Sequence, residues 1–268
     1  MDTTSRAAGV WGAVIGDICG SIYEFRNRKT DQPESISLLN PACRFTDDTA
    51  LTMATATALL DGAATAEAYA RAYKHWSRRF MHDVGYGPRF AEWLLSDSLA
   101  PYNSFGNGSA MRVSPVGCFF ETLDEVLGAA KQSAEATHNH PEGVKGAQAT
   151  AASVFLARQN TPKDGIKTYV ETTFGYDLSR RLDDIRPNYA FDATCQGSVP
   201  EALIAFLEGR DFEHTLQLAI SLGGDSDTIA CIAGAVAGAC HGIPAPLLAF
   251  AEKRLPPEMV DILGRFDH

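Results

Sequence analysis

The sequence predicts an all-α protein, on three observations. Apolar residues recur at helical spacing in several stretches, and no run of alternating β-branched residues bounded by turns is present. Two segments, Val10 to Tyr23 and Thr228 to His241, are small and apolar nearly all round. A helix with no polar face belongs in the centre of a bundle, and the Gly and Ala residues of these two permit close packing.

The elements follow in chain order. Val10 to Tyr23 ends at a carboxylate, Glu24, and leads into a Pro-, Asn- and Ser-rich loop over Arg26 to Cys43. Asp48-Thr49-Ala50 opens another apolar helix. Glu67 to Phe80 is amphipathic, with Tyr69, Ala72, Tyr73 and Trp76 on one face. Tyr102 to Gly108 reads as a loop. Thr122-x-x-Glu125 is a capping box ahead of Val126 and Leu127. Ser198-x-x-Glu201 is read as a second one, with Pro200 in the first turn of a helix through Leu207. Phe212 to Leu222, Thr228 to His241 and Ala245 to Arg254 complete the helices. Asp164 to Asp192, mixed in Arg and Asp, is either substrate-contacting or a solvated surface. With no long linker, low-complexity segment or long repeat, a single domain over residues 1–268 is expected.

A hydrophobic fraction of 45% in 268 residues is ample for a buried core. Acidic residues outnumber basic ones 33 to 23, and the nearest thing to a basic block is Arg26, Arg28 and Lys29, which argues against a bulk-electrostatic nucleic-acid binder. Cys19, Cys43, Cys118, Cys195, Cys231 and Cys240 are scattered in apolar settings, as expected for buried thiols in a reducing compartment. The apolar start is broken by Asp17 and lacks a basic leader, and Ile229 to Cys240 is too short to cross a bilayer. A cytoplasmic protein without membrane association is expected, and, with no coiled coil or interface stripe, a monomer. His75, His82, His214, His241 and His268 show no supporting pattern and are expected to be structural or at the surface.

Five features bear chemistry. Thr46-Asp47-Asp48-Thr49 and Gly223-Gly224-Asp225-Ser226-Asp227-Thr228 each put two carboxylates and hydroxyls at the mouth of an apolar helix. Capping explains one such residue per helix. Two side by side repel unless a cation lies between them, and all-oxygen ligands suit Mg²⁺ or Mn²⁺. Gly16-Asp17 through Glu24 sets a carboxylate at a helix end, either solvated or available for acid–base work. Ser104-Phe105-Gly106-Asn107-Gly108-Ser109-Ala110-Met111-Arg112 is a plain turn before a helix or a loop whose backbone N–H groups, with the following helix N-terminus, approach a phosphate. Phe105 is core or a base-stacking surface. Thr137-His138-Asn139-His140-Pro141 is a helix-entry turn or half of a zinc site lacking further ligands.

Taken in chain order, Gly16-Asp17 with Glu24, Phe45-Thr46-Asp47-Asp48-Thr49, Gly106-Asn107-Gly108, Thr137-His138 and Gly223-Gly224-Asp225-Ser226-Asp227-Thr228 resemble the ADP-ribosylglycohydrolase family, which includes the dinitrogenase reductase-activating glycohydrolases. The resemblance runs from about Gly12 to Gly242. It implies a compact orthogonal helical bundle with a binuclear site holding two Mg²⁺ (or Mn²⁺). Thr46, Asp47 and Asp48 would supply one side, and Asp225, Asp227 and Thr228 the other. It places Ser104, Phe105, Gly106, Asn107, Gly108, His138 and Gly224 at the substrate, with Phe105 on the adenine. Glu24, Asp47 and Asp227 are the catalytic candidates, the two aspartates as bridging positions. The implied activity releases ADP-ribose from an ADP-ribosylated protein or nucleic acid by hydrolysis at C1″, through an oxocarbenium-like state. A non-catalytic ADP-ribose reader, a structural relative and a phosphate-ester hydrolase are the alternatives.

Overall fold

The computed structural model describes residues 5–266, so His268 lies outside the described residues. Fifteen α-helices occur among them: α1 (Ala8–Gly20), α2 (Asp47–Leu60), α3 (Ala66–Arg79), α4 (Pro88–Leu95), α5 (Gly108–Met111), α6 (Ser114–Phe119), α7 (Leu123–Glu135), α8 (Pro141–Arg158), α9 (Lys163–Phe174), α10 (Leu182–Ile185), α11 (Cys195–Glu208), α12 (Phe212–Ser221), α13 (Ser226–His241), α14 (Ala245–Glu252) and α15 (Pro257–Phe266). The all-α expectation holds. An isolated bridge between Gly106 and Thr194 is the β-type pairing among the described residues.

The two apolar helices are central, as their composition requires. Every residue of α1 is buried, and α13 is buried from Ser226 to Ala239. They cross at backbone contact. A Cβ on Gly12 would lie 2.1 Å from the Gly234 carbonyl oxygen, on Gly16 2.0 Å from that of Ala230, and on Gly20 2.5 Å from the Asp227 Cα. From the other side, Gly234 and Gly238 face Gly12 and Ala8 in the same way. Glycine at four-residue spacing on α1 therefore forms a seam that no larger residue fits. Helices α2, α6, α12 and α14 surround α1, while α5, α8, α11 and α12 surround α13.

The outer helices are amphipathic and conventionally capped. Helix α3 buries Tyr69, Tyr73 and Trp76 and exposes Arg71, His75, Arg78 and Arg79. The Thr122 hydroxyl accepts from the Glu125 N–H and Glu125 accepts from the Thr122 N–H, so the capping box of α7 is present. The second expected box is not. Helix α11 starts at Cys195, with the Thr194 hydroxyl accepting from the Gly197 N–H at 3.1 Å. Ser198 lies a turn inside and donates to the Asp192 carbonyl (2.8 Å), Glu201 pairs with Arg180 (2.8 Å), and Pro200 sits in the second turn. The hydroxyl and carboxylate that would have formed the box are engaged by neighbouring elements, so the cap falls to Thr194.

The 26–43 loop is tied to α1 by the Cys19 thiol, which donates to the Leu38 carbonyl at 3.2 Å, and by the Tyr23 hydroxyl, which donates to that of Ser37 at 3.1 Å. Between Asp164 and Asp192, α9 and α10 are followed by a loop, and Arg180 and Arg181 clamp Glu201 and Glu208 of α11. Five cysteines are buried and Cys240 is partly exposed, all unbridged. No helix among the described residues is long and apolar enough to cross a membrane.

The seam yields a paired prediction. Gly16→Ala should destabilise the protein by about 1–3 kcal/mol or more through overpacking. Gly128→Ala, in the exposed middle of α7 where a Cβ meets nothing within 4 Å, should stabilise it by about 0.5–1 kcal/mol. Urea unfolding of the two variants checks both signs.

Candidate active site

The site begins with a buried carboxylate from α1. Asp17, fully buried, accepts from the Thr46 N–H (2.9 Å), the Thr46 hydroxyl (2.7 Å), the Thr49 N–H (3.1 Å) and the Thr49 hydroxyl. It satisfies the N-terminus of α2 and suits its positive end. Thr46 adds a local cap, its oxygen accepting from the Asp48 N–H at 3.3 Å. Capping is thus accomplished without Asp47 or Asp48, and both carboxylates are left over.

The same holds at α13. Gly223 and Gly224, at φ +73° and +68°, make a left-handed turn that glycine adopts without strain. The Gly224 N–H donates to the Asn27 side-chain oxygen at 3.0 Å. Asp225 occupies the cap position but makes no capping bond; its carboxylate accepts from the Asn107 amide at 2.6 Å instead. Asp227 accepts from the Thr228 N–H at 3.0 Å, and the Thr228 hydroxyl donates to Asp48 at 3.3 Å, joining the two helix mouths. Oxygens of Glu24, Asp225 and Asp227 lie within 4.8 Å of one another.

Burial and mutual repulsion dominate the electrostatics. Asp47, Asp48 and Asp227 are pushed well above the ordinary carboxylate range, first by burial and then by neighbouring carboxylates. Asp225 is raised by burial, against the relief of its Asn107 bond. Glu24 is pushed up to about 7 by burial and by Asp225, with Arg44 and a hydrogen bond from Asp227 opposing. Asp48 Oδ2 is buried with no hydrogen-bond partner. The hydroxyl protons of Thr46 and Thr228 are committed to Asp17 and Asp48, leaving oxygen lone pairs. An orphaned carboxylate oxygen among crowded oxygen donors fits a hard divalent cation.

Asn107 connects this cluster to the glycine loop. Its amide also donates to the Ser198 hydroxyl at 2.9 Å, and its N–H to the Ala193 carbonyl at 2.8 Å. The Ser104 hydroxyl accepts from the Gly106 N–H at 3.1 Å. His138 lies behind the loop; a Cβ on Gly108 would lie 3.2 Å from its Nε2. Helix α5 is one turn long, so its dipole contributes less than the sequence suggests. His140 caps α8 through the Glu142 N–H (3.1 Å), so the pair reads as a helix entry and not as half of a zinc site.

These groups share one cleft of about 640 Å³, lined by Glu24, Thr46, Asp47, Asp48, Asp225, Asp227 and Thr228 together with Ser104, Gly106, Asn107, Gly108 and His138. Two expected residues do not line it. Phe105 is exposed and packs on the His140 ring at 5.3 Å, and a Cβ on Gly224 would meet the Tyr189 ring at 2.8 Å. The lining adds residues that the sequence did not single out, Phe25, Arg44, Tyr86, Arg89, Tyr102 and Phe191, and includes Arg112, the end of the glycine-loop motif, to which no role was given. Among the added residues Tyr86 had a signal, the Gly85-Tyr86-Gly87-Pro88 turn that marks a loop. Phe191 had none.

The ADP-ribosylglycohydrolase family model matches residues 1–264. The chain is similar to the ADP-ribosylhydrolase ARH3 of Bos taurus, 27% identical over 96% of this chain and 90% of that one. It is similar to the Homo sapiens ARH3 at 27% identity, over 96% and 91%. The ADP-ribosylarginine hydrolase Tri1 of Pseudomonas putida is 26% identical over 98% of this chain and 75% of its own length. A solved structure titled ADP-ribosylglycohydrolase-related protein complex matches in fold, with a TM-score of 0.73 over 100% of this chain and 99% of that chain at 24% identity.

The crowded carboxylates predict the behaviour of the metal-free protein. Acids held above their unfolded pKa bind protons more tightly when folded, so this contribution to stability falls as pH rises above the unfolded value. In EDTA, Asp48→Asn should therefore raise Tm near pH 7, and its advantage should shrink toward about pH 5. Mg²⁺ or Mn²⁺ at about a hundredfold over Kd should stabilise the wild type by about 2.7 kcal/mol and Asp48→Asn by much less. Thermal melts across pH, with and without metal, test this.

Proposed function

The chain belongs to the ADP-ribosylglycohydrolase family, and on that premise we propose that it acts as one domain to hydrolyse the C1″ bond joining ADP-ribose to a modified target. The observation that carries the reading is the polarity of the cleft. A carboxylate cluster and a glycine loop line the same cleft, and Asn107 bonds to the cluster from within the loop.

In this reading Gly106 to Gly108, with Ser104 and His138, bind the diphosphate and orient the adenosine end. Phe105, on the outer side of the loop, is a weaker candidate for the adenine than the exposed aromatics that line the cleft. Thr46, Asp47, Asp48, Asp225, Asp227 and Thr228 would hold two Mg²⁺ or Mn²⁺, and Glu24 stands beside Asp225 and Asp227. Bound there, such ions supply charge that grips ribose hydroxyls and makes water more acidic. Glu24, raised by burial, handles the proton: it gives one to the leaving group or takes one from the attacking water. The C1″ bond to the target breaks, water oxygen joins C1″, and the target leaves with a proton.

Release of free ADP-ribose from arginine-, serine- and DNA-linked substrates, with Mg²⁺ and with EDTA, tests the function. Metal-dependent release from one of them is the expected result. No release, with tight ADP-ribose binding by calorimetry, replaces the hydrolase by a reader. Asp227→Ala should lower kcat/KM beyond about a hundredfold with the fold kept. Glu24→Gln should lower kcat by about 10²–10⁴ while ADP-ribose still binds; wild-type kcat in that variant removes Glu24 from the chemistry.

A further inference from the structure

Arg112 is fully buried and has no carboxylate partner among the described residues. Its guanidinium lies 4.0 Å from the centroid of the Tyr73 ring. One nitrogen, Nη2, donates to the Thr137 hydroxyl at 2.8 Å and to the Ser133 carbonyl at 3.3 Å. The other two nitrogens, Nε and Nη1, are buried without a partner. A buried charge left unpaired is costly, and this one borders the cleft beside the glycine loop. The one-turn helix α5 contributes little positive field there.

The hydrogen bonds from Arg112 run on to the loop. A guanidinium only donates, so the Thr137 oxygen accepts from it. Thr137 is fully buried, and its single hydroxyl proton has a partner at 2.7 Å, His138 Nδ1. If Nδ1 carried the proton instead, the Thr137 proton would be stranded in the core. The His138 ring is neutral, held so by burial and by the charges of Arg112 and Arg89, so it has one N–H to place. With Nδ1 accepting, that N–H is on Nε2. Nε2 faces the loop: Cβ atoms on Gly106 and Gly108 would lie 3.6 and 3.2 Å from it.

We propose that Arg112 and Thr137 are positioning residues that lock His138 as an Nε2–H donor. His138 Nε2–H then offers an anionic oxygen a fixed donor at the glycine loop. Resting on the function proposed above, that oxygen belongs to the diphosphate. Arg112 acts through Thr137 and through its field, without touching the ligand.

Ring-¹⁵N histidine spectra of the ligand-free protein test this, with the His138 signals assigned by their loss in His138→Gln. Arg112→Met removes a large buried side chain and risks unfolding, so the decision rests on Thr137. The wild type should show a protonated Nε2 and a bare Nδ1. Thr137→Val, folded by thermal melt, should show mixed tautomers and weaken ADP-ribose binding on the order of tenfold. Thr137→Ser should restore both. A wild-type Nδ1–H tautomer, or Thr137→Val with pure Nε2–H and unchanged affinity, overturns the relay. Pure Nε2–H in a wild type that binds no ADP-ribose supports the relay and removes the proposed substrate instead.

Discussion

The backbone-to-backbone crossing of α1 and α13 is the constraint on which the rest of the structure depends. Gly12, Gly16 and Gly20 on one helix meet Gly234, Ala230 and Asp227 on the other at distances no Cβ tolerates. Close approach packs the centre at interior density without large side chains and explains why both helices are apolar all round. It also sets the site. Gly20 seats against the Asp227 backbone, Asp17 one turn earlier organises the start of α2, and Glu24 follows within a turn of the helix end. Three parts of the carboxylate cluster are therefore placed by one rigid strut, which is the precision a site of crowded charges requires.

That cluster is assembled at the expense of stability. Asp47, Asp48, Asp225 and Asp227 sit at helix N-termini, where dipoles favour negative charge, yet burial raises all four, and neighbouring carboxylates of the cluster add to it at Asp47, Asp48 and Asp227. Helix dipoles and caps soften the repulsion without cancelling it. Asp17 differs: with four donors on its two oxygens it is fully satisfied, while Asp48 Oδ2 has none. The contrast separates a carboxylate that builds the scaffold from one left with an unpaired oxygen in the cleft.

The glycine-loop side of the cleft differs in character. A buried guanidinium, Arg112, stands behind the glycine loop there, and Asn107 joins the two regions by donating to Asp225 while its backbone anchors the loop to Ala193. A ligand with an anionic middle and a hydroxyl-rich end matches this arrangement better than a purely anionic or purely apolar one. The segment from Asp164 to Asp192 clamps α11 through Arg180 and Arg181, and near its end Phe191, with Ala193 just beyond it, lines the cleft.

Helical class, the two central helices and the carboxylate pairs were legible in the sequence, because they rest on local periodicity and on an excess of acids over what capping needs. Helix limits were less so: Thr194 caps α11 because Ser198 and Glu201 are engaged by Asp192 and Arg180, partners that lie outside the expected box. Phe105 has the composition of a stacking platform but turns outward onto His140, and Phe191, unremarkable in sequence, lines the cleft. The sequence by itself determined which residue types could do chemistry and that α1 and α13 must be buried, since both follow from side-chain chemistry and a 3.6-residue repeat. Only the tertiary structure decided that Asp17 is scaffold, that Arg112 stands unpaired behind the glycine loop, and which aromatic rings face the cleft. Those properties depend on partners far apart in the chain, and a local pattern carries no information about the direction from which a distant partner arrives.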